Sequence, residues 1–189
     1  MYYERDELTM LTTENALLLV IDFQERLMPL IDRYEELERK SAIMIKGCRV
    51  LDVPVIVTQQ YTKGLGETIK ELKDSFGGLF DPIEKLTFSC CGNAVFSEAL
   101  KSAGMKKIIV TGVETHICVQ QTVLDLLDRG YPVYVIADCV GSRSEIDFSI
   151  ALKRMENAGA IITTMESILF EMLVSADHPK RKAISELVK

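Results

Sequence analysis

Three side chains that could do chemistry stand where apolar runs end. Asp22 follows ALLLVI, Lys85 closes a short run over residues 83–85, and Cys118 comes six residues after the Gly112 that ends KKIIVTG. A thiolate is a good nucleophile, yet a free cysteine, with a pKa of about 8.5, is mostly protonated at neutral pH. A helix N-terminus or a nearby lysine lowers that value. A carboxylate could accept the thiol proton, but an ionised carboxylate beside sulfur also discourages the thiolate, so a compensating cation is required. Asp22, Lys85 and Cys118 are therefore candidates for a unit that shares its protons, with apparent pKa values that belong to the group.

Such a unit forms only if distant segments converge, and the chain alternates in the way that brings this about. Strand-like runs are expected at Ala16–Asp22, Pro54–Gln59, Lys107–Gly112, Pro132–Ala137 and Ala160–Thr163, with a short one at Ile83–Lys85. Between them, Tyr34–Leu51, Asn93–Ala103, His116–Arg129 and Ser144–Ala158 carry apolar residues at three- and four-residue spacing. Gly104, Gly130 and Gly159 follow three of these segments, where a left-handed residue ends a helix. SILFEMLV reads as a further short helix and the last dozen residues as a loosely held one. Alternation of this kind predicts a parallel sheet covered by helices, with ligands at the carboxyl ends of the strands. With the helix starting near His116, Cys118 falls in its first turn, where free N–H groups favour negative charge and could receive an oxyanion.

Taken singly, each residue has an ordinary reading as well. A cysteine opening an apolar stripe belongs to many cores, an aspartate after a strand caps turns, and a lysine is commonly solvated. His116 lies two residues before Cys118, and residues two apart on a helix do not face each other. It is read as a packing or capping residue. Gln59, Gln60 and Tyr61 follow the second strand as candidate pocket residues or as a polar loop at a subunit contact. Phe23, Phe88 and Tyr61 could wall an aromatic or planar substrate or simply pack. Cys90, Cys91 and Cys139 read as small buried side chains.

Several function classes drop out. KGLGE has Gly64 and Gly66 but Ile69 where a third dinucleotide-binding glycine would stand, and it follows the wrong strand. Neither a G-x-S-x-G elbow nor a phosphate loop ending in G-K-[ST] is present. A net charge of -6 and a single basic cluster, HPKRK, predict no nucleic-acid partner. The apolar runs are strand-sized, which predicts no membrane span. MYYERDELTML has no export-signal pattern, so a cytoplasmic location is expected, with the five cysteines reduced. One domain over residues 1–189 accommodates this length.

LLVIDFQERL around Asp22, EKLTFSCCGNAVF from Lys85 on, and VTGVETHICVQQTVLDLLDRGYPVYVIADCVGSR around Cys118 together resemble the isochorismatase-like cysteine hydrolases, in order and over nearly the whole chain. The resemblance implies a three-layer αβα fold with a six-stranded parallel sheet. It also implies an Asp22–Lys85–Cys118 triad that hydrolyses a C–N bond through a covalent thioester. A cis peptide is implied in GVET, here the Val113–Glu114 bond, with the backbone N–H groups of Glu114 and Cys118 as the oxyanion hole. Nicotinamidases of the family carry an Asp-x-His metal motif after the second strand, where this chain reads VTQQYTKGLGETI. His116 and His178 have no ligand-like spacing, so neither a metal nor another cofactor is expected. True isochorismatases generally lack the nucleophilic cysteine. The expectation is thus a cysteine hydrolase of a small amide-like molecule, assembled as a homo-oligomer; the rival is a thiol redox sensor using the same activated cysteine.

Overall fold

A computed structural model describes residues 10–189. The segment before them, which carried the reading of the export signal, lies outside the described residues. Six strands form one parallel sheet: β1 Ala16–Ile21, β2 Val55–Gln60, β3 Pro82–Lys85, β4 Lys107–Val113, β5 Val133–Gly141 and β6 Ile161–Thr163, in the order β3-β2-β1-β4-β5-β6. Every residue of β1 and β4 is buried, as strands with helices on both faces require. The edges are short. β3 opens with Pro82, tolerable on an edge because proline has no N–H for a ladder, and β6 has three residues.

The helices are α1 Tyr34–Val50, α2 Thr62–Leu65, α3 Lys70–Ser75, α4 Ala94–Ala103, α5 Gln120–Asp128, α6 Glu145–Asn157, α7 Met165–Leu173 and α8 Arg181–Leu187. One apolar layer joins α1, α7 and α8 to the sheet through Ile45, Leu169 and Ile184; the other joins α4, α5 and α6 through Phe96, Leu126 and Met155. Asn93 caps α4 by accepting from Phe96 N at 3.0 Å, a bond worth about 1 kcal/mol. Among the described residues no helix is long and apolar enough to cross a membrane.

Four local departures from the sequence reading have physical causes. Asp22 leaves β1 with φ 56°, so the strand stops one residue early. β5 runs on to Gly141 because its register with β4 slips between Val110 and Gly112, which pair with Val135 and Val140. The residues between them bulge off the β4 ladder while Ile136 stays paired with Thr163 of β6, and Asp138 there accepts from Lys40 Nζ and from Met165 N, both at 2.8 Å. The short helix α3 escapes a periodicity reading because it spans under two turns. The C-terminal helix is not loosely held: Ile184 is fully buried against the α1 layer.

Candidate active site

Strand order reverses beside β1, which pairs with β2 on one side and β4 on the other, and crevices at such switch points hold ligands. Asp22 stands at the carboxyl end of β1 and Lys85 at that of β3. Lys85 Nζ donates to Asp22 Oδ2 at 2.6 Å, and both side chains are fully buried. The other Asp22 oxygen accepts from Thr58 Oγ1 at 2.8 Å. Around the ammonium the remaining acceptors are Gln60 Oε1 at 2.7 Å, Phe88 O at 3.1 Å and Thr87 O at 3.3 Å. Burial by itself would favour the neutral amine, but the Asp22 carboxylate and the neighbouring Cys90 and Cys118 outweigh it and hold Lys85 above the usual lysine range.

The thiol of Cys118 lies near enough to Asp22 and Lys85 for both charges to act on it, which brings all three candidates together. Burial, then the Asp22 carboxylate, push this thiol far above the ordinary cysteine range, with Lys85 opposing them in part. The resting group is therefore a neutral thiol near a carboxylate, not the preformed low-pKa thiolate that a helix N-terminus led one to expect. The backbone departs from that expectation as well. Residues Thr115–Val119 form a wide π turn, with Val119 N donating to Glu114 O at 3.3 Å, and α5 proper begins only at Gln120. Cys118 thus lies ahead of the first α-helical turn.

Glu114 follows a cis peptide bond from Val113, as the resemblance implied. Its carboxylate is engaged by the residue two past the end of β5: Oε2 accepts from Arg143 Nε at 3.0 Å and Arg143 N at 3.2 Å. His116 Nδ1 and Ser142 Oγ share a hydrogen bond at 3.0 Å, so the imidazole is engaged away from Cys118. Tyr61 and Phe88 are about half exposed, whereas Cys118 keeps only 6% of its surface. Phe23 does not join them: its ring is buried in the α1-side layer, while Cys118 belongs to the layer opposite. Side chains alternate along a strand, so Thr58 and Gln60 face the triad and Gln59 turns to the other face. There Gln59 Nε2 is buried with no hydrogen-bond partner among the described residues.

Sequence reasoning missed Thr58, Gln24 and the position of Cys90. The Cys90 thiol is 3.8 Å from Thr58 Oγ1, and burial, then Asp22, push it up to about 12. Its backbone N donates to Thr122 Oγ1 at 3.0 Å, and the same hydroxyl donates to Cys118 O at 2.7 Å. The alternation of Thr58 with Gln60 was the available signal for Thr58. Among the described residues no cluster of His, Cys, Asp and Glu could hold a metal ion.

The fold and this centre define an α/β protein with a carboxylate, an ammonium and a thiol gathered at a topological switch point. The chain belongs to the isochorismatase family: residues 16–167 match the Isochorismatase domain, and with it comes the fold of the isochorismatase-family hydrolases. It is 38% identical over 168 residues to zebrafish (Danio rerio) isochorismatase domain-containing protein 1, covering 89% of this chain and 59% of that protein, so it spans less than two thirds of the relative's length. Among solved structures it is similar to the MAR1 ribonuclease from Caenorhabditis elegans, with TM-score 0.90 and 38% identity over 95% of this chain and 92% of that one. It is also similar to the Escherichia coli YcaC gene product, described as an octameric hydrolase of unknown specificity. There the TM-score is 0.85 and the identity 26%, over 94% of this chain and 87% of that one.

Proposed function

We propose that this protein is a cysteine-dependent hydrolase that cleaves the C–N bond of a small amide-like substrate through a covalent thioester. The observation that carries the reading is the buried Lys85 ammonium holding the Asp22 carboxylate at 2.6 Å, with the Cys118 thiol close enough to feel both charges. As the Cys118 sulfur attacks the substrate carbonyl, its proton passes to Asp22, so thiolate character develops only when the carbonyl is in place. The oxyanion is received by the backbone N–H groups of Glu114 and Cys118. Asp22 then gives its proton to the departing amine. Water, deprotonated by Asp22, attacks the thioester carbonyl, and the acid leaves as sulfur regains a proton. Lys85 keeps the centre from accumulating net negative charge during these steps.

Tyr61 and Phe88, the half-exposed rings beside the centre, form the substrate walls in this reading. The chain assembles with copies of itself, which would cover the exposed Leu86, Phe88, Ile146 and Ile150. The octameric state of the E. coli relative supports this. The ribonuclease name of the C. elegans relative makes RNA a substrate to test. The net charge of -6, with HPKRK the only basic cluster, speaks against it.

The deciding experiment is a screen of small amides, ureas, carbamoyl compounds and a short RNA against the wild type and Cys118→Ala. The expected outcome is hydrolysis of a C–N substrate by the wild type, an acyl adduct on Cys118 by mass spectrometry, and no turnover by a folded Cys118→Ala. Hydrolysis that survives the substitution removes the nucleophile from Cys118. A second reading, a thiol redox sensor, is favoured by the closeness of Cys90 to the same carboxylate. A rapid Cys90–Cys118 disulfide under mild peroxide, without any hydrolysis, would select it.

A further inference from the structure

Gln60 was a candidate substrate contact, but both ends of its amide are already engaged. Oε1 accepts from Lys85 Nζ at 2.7 Å and Nε2 donates to Leu86 O at 2.9 Å. A flipped amide would set N–H against ammonium and oxygen against carbonyl, so the two partners fix its orientation. The backbone of the same residue is gripped by Gln24, which is fully buried. Gln60 N donates to Gln24 Oε1 at 2.7 Å, and Gln24 Nε2 donates to Gln60 O at 2.9 Å and to Gly66 O at 2.6 Å. One amide side chain thus stands in for a neighbouring strand at the end of β2, and it joins that end to the loop that carries Tyr61.

Gln60 acts on Lys85 in a specific way. An ammonium has three N–H donors and, when buried, needs an acceptor for each; Asp22, Gln60 and the carbonyls of Thr87 and Phe88 supply them. A hydrogen bond to a charged group is worth roughly ten- to a hundredfold in an equilibrium. Without the Gln60 oxygen the ammonium is held less firmly, and the positive charge that opposes Asp22 at Cys118 weakens.

We infer that Gln60, clamped by Gln24, is a positioning residue that holds Lys85 charged and in place, and so sets how readily Cys118 gives up its proton. The inference rests on Asp22, Lys85 and Cys118 acting as one unit. Its test needs no substrate, so it stands or falls separately from the amide reading.

The test is the pH dependence of Cys118 alkylation by iodoacetamide, followed by mass spectrometry on the full chain. Gln60→Met keeps the length and removes both polar ends. Its alkylation curve is expected to move about one unit to higher pH, with a rate about tenfold lower at fixed pH. Gln24→Met leaves every acceptor of Lys85 in place but frees the strand end, and should shift the curve in the same direction by less. Val57→Ala, which thins the core on the same strand, should lower the melting temperature and leave the curve where it is. The proposal is overturned if Gln60→Met melts earlier with an unmoved curve, or if Val57→Ala moves the curve as far. Should Gln60→Met not fold, an unmoved curve in folded Gln24→Met overturns it, and a shifted one supports it.

Discussion

Five thiols inside the protein make its stability depend on alkaline pH through a simple proton count. Burial is the leading cause that raises Cys48, Cys90, Cys91, Cys118 and Cys139 above the ordinary range. In the unfolded chain they ionise near pH 8.5 or so; in the folded chain they remain protonated. Above that pH the unfolded state binds fewer protons than the native state, and stability falls by up to about 1.4 kcal/mol per pH unit for each thiol. Lys85 adds to the fall at higher pH. Its raised pKa contributes stability that is complete below about pH 10.4 and is lost as pH rises through the folded value. A melting temperature that declines steadily from about pH 8.5 upward in reductant is expected, with a shallower decline in Cys48→Ala. A flat profile across that window would contradict the burial of these groups.

At the scale of elements, the site depends on how closely β1 and β4 approach at their carboxyl ends. Gly112 has φ 145°, and a Cβ placed on it would lie 2.5 Å from Ile21 O, on the residue before Asp22. Neither the dihedral nor the backbone oxygen yields easily. Gly112→Ala should therefore part the two strand ends, lowering the melting temperature and reducing Cys118 alkylation and turnover by at least tenfold, a size of loss that a 1 Å misplacement can produce. An alanine variant with wild-type rates would show that the strand ends are free to adjust. The same junction explains what could be read from sequence. Asp22, Lys85 and Cys118 were legible because each ends or follows an apolar run on one edge of a parallel sheet, in wording that a known family shares. For Phe23 the sequence left a substrate wall and core packing open; it packs in the α1-side layer, because the positive φ of Asp22 breaks strand alternation just before it. Gln24 was invisible because a buried amide that mimics a strand looks, in sequence, like any polar residue of a loop.

For the molecule as a whole, Leu86, Phe88, Ile146 and Ile150 expose large apolar side chains. Burying a side chain of this size contributes roughly 1.5 to 3 kcal/mol, so a shared interface is the expected fate of those surfaces. Sedimentation should give a mass that is a multiple of 21.2 kDa, and Ile146→Glu with Ile150→Glu should shift it toward a single chain. A wild type that sediments as a monomer at micromolar concentration would remove self-association from the functional reading. The strand order carries one further consequence. β1 is central, and the helix that follows it, α1, is covered by α7 and α8 from the far end of the chain. On a ribosome adding about 5 to 20 residues each second, the apolar side of that helix waits several seconds, on the order of ten, for its cover to be translated. Nascent chains that stop short of Met165 carry this unshielded surface, and they are the species for which a chaperone matters most.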